Sequence, residues 1–86
     1  MNADSMEPTE LRLVLLGPLT DLGIRDPRIA VPFPISAADL RAAILDAYPA
    51  VATVAFRIAL DRRLLRDEEE VTGGSEVALL PPFAGG

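Results

Sequence analysis

The stretch RIAVPFPISAADLRAAILDAYP, residues 28–49, changes its hydrophobic period halfway along, and that change decides the fold. From Arg28 to Ile35 the residues Ile29, Val31, Phe33 and Ile35 alternate strictly, the period of a strand with one buried face. Pro32 and Pro34 cannot donate to a ladder, which puts this strand at a sheet edge. Ser36 then opens a helix. Its hydroxyl is suited to the amides of the first turn, Asp39 sits three residues on as in a capping box, and Ile35 can staple against Leu40. Leu40, Ala43, Ile44, Ala47 and Tyr48 follow the stripe of a helix lying on a sheet, and Pro49 ends it.

Outward from this centre the pattern is strand on both sides. Leu11, Leu13 and Leu15 share one face of an upstream run and Arg12, Val14 and Leu16 the other, so the run is apolar on nearly both faces and suits a central strand. Gly17-Pro18 breaks it, and Thr20 to Pro27 reads as a loop. Downstream, Val54, Phe56, Ile58 and Leu60 alternate as a third strand. Asp61-Arg62-Arg63 turns into a very short strand at Leu64-Leu65, and an acidic loop, Asp67 to Glu70, leads through Thr72-Gly73-Gly74-Ser75 to a final strand, Glu76–Leu80. Strand, strand, helix, strand, short strand, strand is the ββαββ order of an α+β fold, a β-grasp with one helix packed on a mixed sheet. The expected inward set is Leu11, Leu13, Leu15, Ile29, Val31, Phe33, Leu40, Ile44, Phe56, Ile58, Val77 and Leu79. The expected boundaries are a loose N-terminal tail over 1–9, the β-grasp domain over 10–80 and an extended Gly-Gly tail over 81–86.

Composition narrows the function. Eighty-six residues make one small domain, and 50% hydrophobic content is too apolar for a disordered segment. Thirteen acids stand against eight basic residues, giving a net charge of −5, so nucleic acid and anionic membrane are poor partners. All eight basic residues are Arg; Lys, Cys and His are absent, which removes Schiff-base lysines, thiolate nucleophiles, disulfides, nearly all zinc sites and the usual general base. A composition rich in Arg and Ala accounts for the missing lysine without a functional role. No metal site is expected, since the Asp67–Glu70 run reads as a solvated loop. Tyr48 reads as core rim. The acidic start, Met1–Glu10, is unlike a secretory signal, and no apolar run has the length of a membrane span, so a cytoplasmic protein is the default.

The informative feature is the end of the chain. Leu80 closes a strand, Pro81 and Pro82 stiffen the exit, and Phe83-Ala84-Gly85-Gly86 follows. Six extended residues reach about 20 Å, and glycines fit a channel too narrow for any side chain. From this composition a Gly-Gly end arises by chance about once in 200 chains.

The run Gly74-Ser75-Glu76-Val77-Ala78-Leu79-Leu80-Pro81-Pro82-Phe83-Ala84-Gly85-Gly86 resembles the C-terminal signature of the ubiquitin-like sulfur carriers, most of all the molybdopterin synthase small subunit. Ser75 stands where that signature usually has Asp, and Ala59-Leu60-Asp61 where a strand often ends in Asn. The resemblance implies a ubiquitin-like fold and a non-catalytic carrier subunit of a sulfurtransferase complex. An E1-like adenylating enzyme would use ATP to adenylate the Gly86 carboxylate, with no cofactor bound to the carrier itself. A sulfur donor would displace AMP, leaving a thiocarboxylate on Gly86. The large synthase subunit would then take the sulfur to build molybdopterin from a cyclic pyranopterin precursor. Sulfur carriage for cysteine or thiamine synthesis, and a ubiquitin-like modifier conjugated through Gly86, stay open as alternatives. Strand parity supplies the docking face: with Leu13 and Leu15 toward the helix, Val14, Leu16 and Leu80 lie on the open sheet face with Phe83 beside them. Arg12 and Arg57 rim that patch, and such a patch marks an interface.

Overall fold

The computed structural model describes residues 7–82. Seven strands and one helix follow in the order β1 Thr9–Leu15, β2 Arg28–Val31, β3 Ile35–Ser36, α1 Ala37–Ala47, β4 Arg57–Leu60, β5 Arg63–Leu64, β6 Glu70–Val71 and β7 Glu76–Leu80. Five form one sheet in the order β2-β1-β7-β4-β5. β1 and β7 pair in parallel and the other neighbours pair antiparallel, so the sheet is mixed. The last strand therefore lies in the middle of the sheet, and the C-terminus leaves from its centre rather than from an edge.

The helix forms where its cap and stripe require. The Ser36 hydroxyl accepts from the Asp39 N–H at 3.0 Å, satisfying one orphan donor of the first turn. Leu40 and Ile44 are fully buried against Leu11, Val77 and Leu79 of the two central strands' inner faces. At the far end the Tyr48 hydroxyl accepts from the Arg28 N–H at 2.9 Å and donates to the Arg28 carbonyl at 3.0 Å. Tyr48 is thus a half-buried brace that ties the helix end to the start of the edge strand.

Three local features depart from the periodicity. The strand expected over Arg28–Ile35 is divided, because Pro32 and Pro34 remove two donors; β2 ends at Val31, and Ile35–Ser36 pairs instead with β6 in a separate two-stranded sheet. The acidic run is the source of that partner, since Glu70 belongs to β6. Part of the loop after Gly17 is a 3-10 turn, Gly17–Leu22, which sends Leu19 fully into the core. The strand expected from Val54 begins only at Arg57, because a second 3-10 turn, Pro49–Thr53, uses the preceding residues and buries Val51. Of the expected inward set, Leu15 and Phe33 are half-buried at the core's margin and the other ten are buried.

Candidate functional site

Two surfaces meet where β7 ends, the root of the C-terminal tail and the uncovered face of the sheet. The root is set by a close approach. Pro81 is buried, and a Cβ built on Gly17 would stand 2.6 Å from its Cγ. Gly17 also has φ +60°, a conformation that L side chains resist. One residue earlier, the Leu16 N–H donates to the Leu79 carbonyl at 3.0 Å and prolongs the β1–β7 pairing. Pro81 is therefore seated against the end of β1, and Pro82 is the last described residue and exposed. Phe83, Ala84, Gly85 and Gly86 lie outside the described residues.

The open face has an apolar middle. Register places Val14 beside Ala78, Ala78 beside Ala59 and Ala59 beside Leu64, one row of small and aliphatic side chains across four strands. The next row carries Leu80 opposite Arg57, and one further step of the β1–β7 register brings Leu16 level with Leu80. Leu16 and Leu64 are the exposed large hydrophobics among the described residues, at 41% and 38%. Leu80 and Val14 are half-buried between them. The four residues singled out by parity thus share this face with Arg57, and Ala59, Ala78 and Leu64 extend it. Parity alone could have found Ala78, which is two residues from Leu80. Leu64 needs the β4–β5 register, which a turn of unusual backbone sets.

Charge gathers at one corner. Arg12 lies 3.9 Å from Glu76, its cross-strand partner, and Arg28 reaches Glu10 at 3.7 Å and Asp26 at 3.2 Å. These pairs are solvent-exposed, each contributing about 0–1 kcal/mol at most, so they add little to the stability of the fold. No side chain of the apolar rows offers a nucleophile.

Behind the face, one carboxylate fixes the turn into β7. Asp61 Oδ1 accepts from the Ser75 N–H at 3.2 Å and the Glu76 N–H at 2.9 Å. Asp61 and Arg62 have φ of 48° and 74°, a left-handed turn in which Asp is tolerated. Gly74 lies against Leu60, where a Cβ would meet the leucine Cδ1 at 2.6 Å. A second brace is Glu69, whose carboxyl is held below the usual range by the hydrogen bond from the Arg66 N–H and then by the Arg63 guanidinium. The acidic run is in this way partly structural rather than a free carboxylate cluster.

Residues 18–86 match the model of the ThiS family, a span that includes Pro81 and the terminal glycines. The fold is similar to the crystal structure of SAMP1 from Haloferax volcanii, with TM-score 0.69 and 22% identity over 91% of this chain and 100% of that one. A second structure, titled H. volcanii small archaeal modifier protein 1, matches with TM-score 0.69 and 22% identity over 86% of this chain and 98% of that one. At that identity the likeness is one of fold, the ubiquitin-like β-grasp. No curated protein gives a significant sequence match. Among the described residues no helix is long and apolar enough to cross a membrane.

Proposed function

The chain belongs to the ThiS family of ubiquitin-like sulfur carriers, and from that premise we propose that it carries sulfur as a thiocarboxylate on Gly86. Carriers of this family work with E1-like activating enzymes and with enzymes that accept the sulfur. The observation that carries the reading is the seating of Pro81 on Gly17 at the centre of the sheet, beside an exposed apolar row. This supports the reading, since Pro81 gives the tail one point of departure beside that row, where a partner bound to the face would meet it. The Gly86 carboxylate attacks the α-phosphate of ATP on the activating enzyme and releases pyrophosphate. A sulfide equivalent then displaces AMP, and the sulfur rides on the main chain, for which no cysteine is needed.

As the destination of that sulfur we propose the dithiolene of molybdopterin, with this chain as the small synthase subunit in the cytoplasm. Support comes from Pro81-Pro82 ahead of the glycines. A second reading is favoured by the fold neighbours, of which one is titled a modifier protein: conjugation of Gly86 to lysines of other proteins. Carriage for cysteine or thiamine synthesis shares the same chemistry up to the thiocarboxylate. The reading is tested by pyrophosphate exchange with the activating enzyme. Deleting Gly86 withdraws the carboxylate by about 3.3 Å, and Gly85→Ala adds a methyl where a narrow channel leaves no room. Both variants are expected to fold and to lose exchange; normal exchange in both would contradict the role of the tail.

A further inference from the structure

Between the first turn of α1, the start of β4 and the segment after β5 lies a cleft of about 340 Å³ whose walls carry Arg41, Arg57 and Arg66. Its floor is apolar, with Ala37, Ile58 and Leu65 all buried. Arg41 is fixed in place: its guanidinium lies 4.4 Å over the Phe56 ring centroid, and its Nη2 donates to the Phe56 carbonyl at 2.9 Å. Among the described residues, Arg12, Arg28 and Arg63 each have a carboxylate within ion-pair distance, whereas Arg41, Arg57 and Arg66, with Arg25 and Arg62 elsewhere, have none. Asp67 is the single acid lining the cleft. Three of the five arginines without an ion pair thus stand together, in a chain of net charge −5.

We propose that this cleft takes an acidic segment of the protein that covers the open sheet face, with carboxylates on Arg57 and Arg66 and an apolar side chain on the Ile58–Leu65 floor. Arg57 is the cross-strand partner of Leu80, so this one arginine borders both the cleft and the apolar face. The proposal rests on that face being the docking surface. Guanidinium forks match carboxylates in geometry. Phosphate fits less well: the Ala37 N–H is already donated to the Glu69 carbonyl at 2.7 Å and the Asp39 N–H to Ser36, no glycine lines the cleft, and Asp67 opposes a dianion. On an acidic protein such a spot draws an acidic partner in one orientation, raising the association rate in a salt-dependent way.

The test is an NMR titration of the ¹⁵N-labelled full chain with the acetylated, amidated peptide Glu-Glu-Leu-Glu-Glu and with its Gln-Gln-Leu-Gln-Gln counterpart. The acidic peptide is expected to give saturable shifts at the backbone amides of Arg57, Ile58, Leu65 and Arg66 and at the Arg57 and Arg66 Nε–H signals. Affinity is expected to fall about fivefold in the Arg57→Gln/Arg66→Gln variant, two exposed ion pairs being lost, with the rest of its spectrum unchanged. Absence of saturable shifts, shifts centred on Arg12 and Arg28, an equal response to the glutamine peptide, or full displacement by equimolar inorganic phosphate would each overturn the proposal. Neither ATP nor an activating enzyme enters the experiment, so its failure is separate from any failure of the tail chemistry.

Discussion

Gly17 and Pro81 share one small space: the proline ring occupies the position that a side chain on residue 17 would need. The contact joins the end of β1 to the first residue after β7, two strands already paired in parallel at the centre of the sheet. It sets the direction in which Pro81 leaves the sheet.

Substituting Gly17→Ala is expected to lower stability by about 2 kcal/mol in urea unfolding, since a left-handed alanine and an overpacked contact are both unfavourable. Adding Pro81→Ala should return the part due to the contact and leave the part due to backbone strain, which a double-mutant cycle separates. In the pyrophosphate-exchange assay Gly17→Ala should raise the apparent KM for the carrier. An unchanged stability would show that the close approach relaxes freely.

The Asp61 latch gives a second expectation. Asp61→Ala removes the acceptor of two N–H groups and is expected to destabilise by about 1–2 kcal/mol, at the low end for bonds to a charged group because the site is exposed. Asp61→Asn keeps an acceptor and a residue at ease in a left-handed turn, so it should lose much less. Equal losses in both, measured by denaturant melts, would mean that charge rather than hydrogen-bond geometry holds the turn.

On the open face, Leu64→Glu and Leu80→Glu should each weaken binding of the activating enzyme at least tenfold by calorimetry. Burying a leucine contributes about 1.5–3 kcal/mol, and a carboxylate there has also to be desolvated. Thr72→Glu, exposed and off this face, serves as the control with unchanged affinity. Unchanged affinity in both leucine variants would place the interface elsewhere.

Acid should loosen the segment that joins β5 to β6. The Glu69 carboxyl is lowered in the folded protein, first by the Arg66 N–H bond and then by Arg63. A lowered folded pKa means that its contribution is fully present above the unfolded value of about 4.3 and fades as pH falls through the lower folded value. Protection of the Arg66 and Glu69 amides, taken relative to the intrinsic exchange rate at each pH, is expected to fall over that acid range in the native protein, and not in Glu69→Gln. The same fall in Glu69→Gln would exclude this carboxyl as the cause.

The central elements were legible in the sequence because their patterns are long and agree with one another: Ser36 with the Leu40–Ile44 stripe, Leu11–Leu13 with Val77–Leu79. Short elements were not. β6 is two residues and owes its existence to Ile35 and Val71 facing each other across about thirty-five positions of sequence, which periodicity does not see. Val51 and Leu19 reach the core from 3-10 turns, where neither strand nor helix spacing applies. The open face was half legible: alternation placed Val14, Leu16, Leu80 and Arg12, while Leu64 depended on a left-handed Asp61-Arg62 turn. The cleft of Arg41, Arg57 and Arg66 joins a helix, a strand and a loop, and no spacing along the chain connects them.

The central claim is that Gly86 carries sulfur, and intact-protein mass spectrometry tests it most directly. After co-expression with the activating enzyme and a sulfur source, the chain is expected to gain the mass of one sulfur exchanged for one oxygen. Fragmentation should place the change on Gly86. Addition of the large synthase subunit and the pyranopterin precursor should then return the original mass as molybdopterin forms. An unmodified mass under these conditions would contradict the account, and branched peptides linking Gly86 to lysines of other proteins with no thiocarboxylate at any stage would replace it with the modifier reading.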